Sequence, residues 1–308
     1  MPNKVKTLDT LVEDIYSTIG VLSDDKPLKL TPKLLKEFGD SMSEALQEWG
    51  TPKGNNKVKS PSLRMSNIGK PDRQLWYDIN SEKDYDVKLQ PSTLIKFLYG
   101  HLLEVLIIFF VKLAGHKVEA EQKEVTVNGI KGHMDCKIDG EVVDIKTASG
   151  FAFKKFKDGT LAEQDTFGYL AQLAGYEAAE KTSQGGFLAM NKENGELTLF
   201  RPEDLDKPNI KNRIKTIKRI VARKTPPSFC YPDIPEGKSG NMRLARECTY
   251  CPYKYKCHKD SNNGQGLRGF NYSKGPVYLT KVVKVPNVEE ILWTEKKQNK
   301  LETNLYFY

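Results

Sequence analysis

The sequence predicts an α/β fold in which a three-stranded meander lies between two helices and further strands follow the second helix. The first helix spans residues 91–114, where apolar residues recur at helical spacing until Gly115 ends the segment. Asn128-Gly129 and Asp139-Gly140 separate the strands of the meander, and both dipeptides favour two-residue hairpin turns. The meander strands are expected at residues 117–127, 130–138 and 141–147. The second helix and the two strands after it are expected at residues 162–181, 186–190 and 196–200.

Composition places the chain among folded proteins and narrows its partners. Its 308 residues are 38% hydrophobic, which is enough for the core of one large domain or two. The 29% of charged residues and the 10% of aromatic residues argue against disorder. A net charge of +8 is compatible with a polyanionic partner.

The sequence gives no sign of a membrane segment by apolar run length. The longest uninterrupted apolar run, residues 105–111, falls short of the ~18 residues that span a bilayer, and no signal peptide is visible. We therefore expect a cytoplasmic protein with no membrane partner. A phage-encoded protein that acts in the host cytoplasm is one origin that fits this expectation.

Two helices are predicted ahead of this core, within residues 7–49, because apolar residues recur at helical spacing in two runs. Thr31-Pro32 begins the second run in the manner of a helix N-terminus. Residues 50–61 are polar, basic and rich in Gly and Pro, which predicts a linker. We therefore expect a helical N-terminal appendage with its linker, a core, a cysteine segment and a C-terminal extension. Their boundaries are 1–60, 61–224, 225–260 and 261–308.

The Asp139-Gly140 turn sets the register of the strands on either side of it. With a two-residue loop, Asp135 lies opposite Asp144 and His133 lies opposite Lys146. Counting back from the turn makes Asp135 and Asp144 a non-hydrogen-bonded pair, whose Cβ atoms are ~4.5–5.5 Å apart. Because side chains alternate along a strand, all four project from one face of the sheet.

Two carboxylates this close together need a cation. Asp135 and Asp144 would repel by about 3 kcal/mol at an effective dielectric near 20, which opposes formation of the hairpin. Lys146 is one candidate for the cation, and a magnesium or manganese ion, which prefers hard oxygen ligands, is the other. Glu104 is a third carboxylate, in a strongly apolar helix expected to pack on this sheet, and its burial alone would be costly.

These residues resemble the motifs of the PD-(D/E)XK nuclease superfamily, and most closely its RecB-like exonuclease branch. The matching motifs are Gly132-His-Met-Asp135 and Asp144-Ile-Lys146, with Glu104 upstream and Gln172-x3-Tyr176 downstream. The branch includes CRISPR-associated RecB-like exonucleases, the AddB nuclease domain and phage exonucleases. The resemblance covers about residues 62–258 and implies a restriction-endonuclease-like αβββαβ core, with a mixed central sheet flanked by helices.

The resemblance also implies roles for the residues of the meander. Asp135 and Asp144 would bind a divalent metal ion, Mg²⁺ or Mn²⁺, with the carbonyl of Ile145 completing the site. Lys146 would orient or deprotonate the attacking water. Metal ions in such a site bind the scissile phosphate, activate a hydroxide and stabilise the charge that develops on the phosphate oxygens.

The two helices would supply the remaining site residues. Glu104 would be a further metal ligand, and His101, one turn earlier on the same helix, is the alternative ligand because many RecB-like relatives use a histidine there. Gln172 and Tyr176 resemble the substrate-positioning motif of the branch. Tyr169 lies on the same face of that helix.

Three of the five cysteines fall within ten residues, as Cys248-x2-Cys251-x5-Cys257, which indicates metal binding before disulfides. This spacing, with a proline after the second cysteine, resembles the C-terminal iron–sulfur motif of the RecB-like branch. Four thiolates can hold a 4Fe-4S cluster or a Zn²⁺ ion, and spacing alone does not separate the two. We favour the iron–sulfur cluster, with zinc as the alternative.

The fourth ligand of this cluster is not where the family has it. In the relatives a fourth cysteine lies upstream of the nuclease core, and this chain has Pro71 and Asp72 in the matching stretch. The remaining candidates are Cys230, Cys136 and His258. We favour Cys230, because alternation along the strand turns Cys136 to the face opposite Asp135, toward the core.

Two segments are candidates for contact with a phosphate backbone. Residues 151–157, FAFKKFK, interleave aromatic rings with lysines, which suits base stacking and phosphate neutralisation. The residues proposed to contact DNA there are Phe153, Lys154, Lys155 and Lys157. The predicted helix at 210–224 carries an apolar stripe and seven basic residues. Residues 277–285 alternate in polarity and predict an edge hairpin or a strand that docks a partner.

Together these features predict a metal-dependent DNA exonuclease that hydrolyses phosphodiester bonds in recombination, repair or replication. Two alternatives stay open: a structure-specific DNA endonuclease, and a non-catalytic DNA-binding module that retains the fold. The intact Asp-x-Lys motif argues against the second. DNA is the expected partner, and a protein partner would bind through residues 1–60 or through the C-terminal extension.

Overall fold

The computed structural model describes residues 6–51, 62–81 and 90–291. The chain divides into two compact units, the first comprising Met1–Gly69 with Pro91–Lys215 and the second comprising Lys70–Gln90 with Thr216–Tyr308. Most of the predicted linker at 50–61 lies outside the described residues.

The first unit contains a mixed five-stranded sheet and a separate two-stranded hairpin. In chain order the strands are β1 Val118–Glu119, β2 Lys123–Val127, β3 Ile130–Met134, β4 Cys136–Ile138, β5 Glu141–Ala148, β6 Gly186–Asn191 and β7 Leu197–Phe200. The five-stranded sheet has the order β1-β4-β5-β6-β7, and β2 pairs with β3. Strands β5 and β6 are parallel, whereas β4 and β5 are antiparallel. The predicted α/β class with a mixed sheet is confirmed.

The hairpin across the Asp139-Gly140 turn has the predicted register. Ile138 pairs with Glu141, and the ladder continues to Cys136. Asp139 has a φ of 50° and Gly140 a φ of 92°, as the two central residues of a type I′ turn require. The turn residues therefore fix this part of the sheet locally.

The prediction of one continuous strand over residues 130–138 is wrong, because the strand breaks at Asp135. The Asp135 carboxylate accepts a hydrogen bond from the backbone N–H of Ile145, with Oδ2 and N 2.7 Å apart, where a strand ladder would use a backbone carbonyl. Before the break, β3 pairs with β2, and His133 lies opposite Glu124. The ladder between β4 and β5 ends at the pair of Cys136 and Val143, so the predicted pairing of His133 with Lys146 is not formed.

The helices of the described chain are α1 Leu11–Gly20, α2 Pro32–Gly50, α3 Asp72–Asn80, α4 Pro91–Leu113, α5 Gly150–Lys157, α6 Tyr169–Glu180 and α7 Ile210–Val221, followed by the short α8 Arg246–Thr249, α9 Lys254–Cys257 and α10 Ser261–Gly264. The side chain of Thr31 caps α2 by accepting a hydrogen bond from the N–H of Leu34 at 3.2 Å, which confirms the predicted helix start.

The N-terminal helix belongs to the core of the first unit. Leu11 and Ile15 of α1 are buried in one hydrophobic cluster with Ile107 and Val111 of α4 and with residues of the five-stranded sheet. This differs from the predicted N-terminal appendage, because the apolar stripe of α1 packs into the same hydrophobic cluster as α4. Cys136 lies in this cluster as well, in agreement with its predicted role as a core residue.

Helix α4 is longer and more apolar than the run-length criterion suggested. Among the described helices, it alone has the length and composition that would let it cross a membrane. Polar and charged residues such as Lys96, His101 and Glu104 interrupt its apolar runs, so a count of consecutive apolar residues understates how apolar the helix is. Ile107 and Val111 lie in the core described above, whereas only 11% of its apolar 18-residue window is buried.

The second unit contains a five-stranded sheet with the order β12-β10-β11-β9-β8. Its strands are β8 Ile234–Glu236, β9 Asn241–Arg243, β10 Arg268–Tyr272, β11 Gly275–Lys281 and β12 Glu290–Ile291. The prediction of an edge or docking strand at 277–285 is wrong, because β11 lies between β10 and β9. The neighbouring strand β9 is only three residues long and has no strand pattern visible in the sequence, so its pairing with β11 was not predictable.

Candidate active site

The three predicted acidic residues come from three different elements of the first unit. Asp144 lies on β5 and is fully buried, with 0% of its surface exposed. Asp135 lies at the break between β3 and β4, and Glu104 lies on α4. Asp144 raises the pKa of both other carboxyl groups, so the three side chains share one electrostatic environment.

Asp135 is held by the neighbouring strand. Its Oδ2 accepts the hydrogen bond from the N–H of Ile145 on β5, the residue between Asp144 and Lys146. Burial raises the pKa of Asp135 well above its usual range, and the negative charge of Asp144 raises it further. The predicted role of the Ile145 carbonyl as a metal ligand stays a prediction.

Lys146 forms an ion pair with Asp144, through its Nζ and the Oδ2 of Asp144. Burial alone would lower the pKa of this lysine, but the charges of Asp144 and Asp135 outweigh burial and raise it above its ordinary value. The ammonium also lies 5.0 Å from the centre of the Tyr169 ring. The structure thus brings Lys146 and Tyr169 to the acidic cluster.

Glu104 reaches the same cluster from α4. Burial raises its pKa, as does the charge of Asp144, while Lys146 and a hydrogen bond oppose the shift. The hydrogen bond comes from Gln122, whose Nε2 donates to Oε1 at 2.7 Å. No pattern in the sequence points to Gln122. His101, the alternative ligand, is exposed on α4 and is not among the charged groups that shift the pKa of Glu104 or Asp135.

Gln172 and Tyr176 form a hydrogen-bonded chain on α6. Gln172 Nε2 lies 3.4 Å from Asp144 Oδ1 and donates to Tyr176 Oη at 3.0 Å. Tyr176 Oη in turn donates to the carbonyl of His133 at 2.6 Å. Only 1% of Tyr176 is exposed, and its predicted part in positioning substrate stays a prediction. It holds Gln172 and the end of β3, two residues before Asp135.

Room for the Tyr176 ring comes from Gly132 on β3. A Cβ atom at this position would lie 2.9 Å from Tyr176 Cε1 and 2.5 Å from Met65 Cβ, closer than side chains tolerate. The glycine of the Gly132-His-Met-Asp135 motif therefore permits the close packing of α6 against β3.

Asp165 organises the start of α6 and was not singled out from the sequence. Its Oδ1 accepts hydrogen bonds from the N–H groups of Gly168 and Tyr169, and its Oδ2 accepts one from Leu170, each at 2.8 Å. Gly168 has a φ of 79° and approaches the backbone of Gly69 so closely that a Cβ would lie 2.3 Å from its Cα. An acidic residue just before a helix was the available signal.

The site offers oxygen donors to a metal ion, but they surround a lysine. Within residues 6–51, 62–81 and 90–291, no group of three or more His, Cys, Asp or Glu side chains is arranged to hold a metal ion. Asp144 Oδ2 is buried and accepts no well-aligned hydrogen bond from the described residues. Its nearest cation is the ammonium of Lys146. The donor chemistry fits a hard divalent ion, which would take the place of that contact on Asp144.

The predicted DNA-contact segment is the helix α5, and one of its four residues cannot contact DNA. Phe153 is 1% exposed and lies in the core, so its ring is not available for stacking on bases. The prediction for Phe153 is therefore wrong. Phe153 and Phe156 are three residues apart and lie on one helix face, and this face is buried. Lys157 pairs with Glu196 at 2.6 Å. Lys154 is exposed and Lys155 is half-buried, and their contact with DNA stays a prediction.

Four of the five cysteines lie in the second unit and influence one another electrostatically, although among the described residues they are not arranged to hold a metal ion. Burial raises the pKa of Cys248 and of Cys251 to about 12, and in both cases Cys230 and Cys257 add to the shift. Cys230 accepts hydrogen bonds from the backbone N–H groups of residues 73 and 74 at the start of α3. The structure thus places Cys230 beside the start of α3, next to Pro71 and Asp72.

Arg73 and His258 flank this cysteine group. Arg73 Nε lies 3.0 Å from Cys257 Sγ, and the guanidinium lies 4.4 Å from the centre of the Phe229 ring. The imidazole of His258 also stacks on the Phe229 ring, with the two ring centroids 4.7 Å apart. Burial lowers the pKa of His258.

Comparison with known proteins gives distant structural similarity only. No family model matches the chain, and no curated protein matches it. The match to the alkaline exonuclease LHK-Exo from Laribacter hongkongensis, in complex with dAMP, covers 53% of this chain and 88% of that chain at 12% identity and a TM-score of 0.36. The match to a phage related exonuclease from Haemophilus somnus 129PT covers 58% and 91% at 15% identity and a TM-score of 0.30. The match to SSO0001 covers 71% and 94% at 14% identity and a TM-score of 0.39.

Proposed function

We propose that this chain is a divalent-metal-dependent deoxyribonuclease of the RecB-like exonuclease type, acting on DNA in recombination, repair or replication. One observation carries the proposal: the carboxyl groups of the buried Asp144 and the half-buried Asp135 share one environment with Glu104 and with the Lys146 ammonium. A fold gains no stability from several acidic groups in one buried cluster, so a catalytic task is the simplest reason for it.

Asp135, Asp144 and Glu104 would hold the metal ion, which would supply a Lewis acid for the phosphate and a more acidic bound water. Lys146 has a raised pKa, so its ammonium keeps its proton at neutral pH and donates hydrogen bonds. It is therefore suited to orient water or a phosphate oxygen, and not to remove a proton while it pairs with Asp144. Gln172 extends the polar face beside Asp144.

Substitution of the central pair tests this proposal. Asp144→Asn and Lys146→Met should each lower kcat on end-labelled linear DNA, with Mg²⁺ or Mn²⁺, by about 100-fold or more. Glu163→Gln and Lys117→Met remove one negative and one positive charge at exposed positions and should leave kcat unchanged. Full activity in either site variant would refute the assignment. Cleavage of circular DNA with no free end would replace the exonuclease by an endonuclease.

We propose in addition that Cys230, Cys248, Cys251 and Cys257 hold a 4Fe-4S cluster, with Zn²⁺ as the alternative. The support is that burial raises the pKa of Cys248 and of Cys251, and that the other thiols of the group raise both further, so a bound cation would stabilise these two as thiolates. Arg73, beside Cys257 Sγ, adds a positive charge that favours the thiolate form. Such a centre would fasten α3 to the cysteine segment within the second unit.

A further inference from the structure

An exposed aromatic ring lies next to the candidate active site and has no task in the fold. Phe167 is 59% exposed, although it directly precedes the N-cap of α6. Its ring stacks on the ring of Tyr169, with centroids 5.4 Å apart and an angle of 22° between the planes. The Phe167 ring thus covers one face of the Tyr169 ring and is itself open to solvent.

Tyr169 connects this ring to the acidic cluster. The Lys146 ammonium lies 5.0 Å from the centre of the Tyr169 ring, so a single ring separates Phe167 from the lysine. Tyr169 is anchored from within the fold by Phe156 and Phe187, with centroids 6.2 and 6.3 Å away. The position of Phe167 relative to Lys146 is therefore set by packed side chains.

The backbone that carries Phe167 is also fixed. Asp165 accepts three hydrogen bonds from the N–H groups that follow Phe167, and Gly168 packs against the backbone of Gly69. A flat aromatic ring that is exposed on a fixed backbone and continues the stack of Tyr169 offers a stacking surface to a ligand. Its position beside the cluster indicates that the contact is with the substrate.

We propose that Phe167 stacks on an unpaired nucleobase next to the scissile phosphate. The inference rests on the proposed nuclease function and deepens it by naming the substrate class: DNA with a single-stranded or frayed end. A flat ring offers a stacking surface to any base, which gives affinity without sequence preference. Bases inside a duplex already stack on their neighbours, so the ring selects a base that has left the helix.

Steady-state cleavage of single-stranded DNA tests the effect on the reaction. Phe167→Ala should raise KM about 10-fold with kcat changed less than 2-fold, a loss in the range found for one stacked base. Phe167→Leu keeps apolar bulk without the ring and should lose nearly as much. Tyr99→Ala removes an aromatic ring that is 55% exposed on α4 and should have no effect. An abasic nucleotide at one position should weaken the wild type as much as Phe167→Ala, and should add nothing to that variant. An unchanged KM for Phe167→Ala, or equal losses at every abasic position, would overturn the proposal.

Binding in EDTA tests the contact without cleavage. Oligonucleotides carrying 2-aminopurine at successive positions should show quenched fluorescence at one position with the wild type and with Tyr99→Ala, and no quenching there with Phe167→Ala. Quenching that survives in Phe167→Ala, or that occurs at no position, would overturn the inference. The two failures are distinguishable, because active Asp144→Asn and Lys146→Met variants would refute the nuclease mechanism, whereas this measurement concerns base stacking alone.

Discussion

Asp135 illustrates at the scale of one residue how the candidate site opposes the stability of the fold. Burial raises the pKa of its carboxyl group, and the charge of Asp144 raises it further. The charge of Lys146 and the hydrogen bond from the N–H of Ile145 oppose this shift without cancelling it. A residue whose environment disfavours its charged form is retained for its chemistry, at the expense of folding free energy.

Asp135→Asn should therefore stabilise the metal-free protein at neutral pH. The amide oxygen can still accept the Ile145 hydrogen bond, while the charge facing Asp144 is gone, so we expect the free energy of unfolding to rise by about 0.5–2 kcal/mol. The pKa of Asp135 is raised in the folded state, so the stability it lends is complete below the usual carboxyl pKa and is lost as pH rises through the raised value. Urea unfolding in EDTA between pH 4 and 8 should thus show a shallower loss with pH for the variant. Equal stability and equal pH slopes in both proteins would show that Asp135 carries no such strain.

At the scale of elements, the sequence was informative where the determinants are local. The turn at Asp139-Gly140 fixed the register of β4 and β5, because two residues with positive φ and side-chain alternation suffice for it. The break at Asp135 was missed because it depends on an N–H from the neighbouring strand. Phe153 was misassigned because alternation of rings and lysines suits both a binding loop and a helix, and only burial against the sheet decides between them.

The start of α6 was also missed by the sequence, and it is the element whose position matters most to the site. The helix was expected from residue 162, but Asp165 and Gly168 end the preceding turn and begin α6 at Tyr169. The first turn of α6 contains Tyr169, which faces Lys146, and Gln172, which faces Asp144. The cap therefore determines where two site residues lie.

Asp165→Ala should disturb this helix start and the site together. Loss of a side chain that accepts hydrogen bonds from three backbone N–H groups should lower the free energy of unfolding by about 1–2 kcal/mol. Because Gln172 and Tyr169 lie in the first turns of the helix, kcat should fall as well. Chemical denaturation and DNA cleavage measure the two effects, and Glu163→Ala, an exposed acidic residue of the preceding turn, is the control. A destabilised variant with wild-type kcat would show that the cap does not position the site.

At the scale of the whole chain, sequence order misled the assignment of segments to units. Residues 1–60 were expected as an appendage, yet α1 lies in the core of the first unit. The segment 70–81 was expected in the nuclease core, yet α3 belongs to the second unit, where Tyr253 donates a hydrogen bond to Asp78 at 2.9 Å. Such contacts join positions far apart in the chain, and periodicity within a segment carries no information on them. The cysteine spacing was different, since its three members lie within ten residues.

Metal content and the stability of the second unit should therefore depend on Cys230. Anaerobic purification should yield protein with bound iron and visible absorbance, and Cys230→Ser should lose most of this metal, since a tetrahedral site needs its fourth thiolate. A structural metal contributes folding free energy directly, so the thermal transition of the second unit should fall by at least about 10 °C in this variant. Cys136→Ala, a substitution in the core of the first unit, should retain the metal. Metal analysis and calorimetry measure both outcomes: a colourless zinc-loaded wild type would replace the iron–sulfur cluster by zinc, and a full metal complement in Cys230→Ser would remove Cys230 from the ligand set.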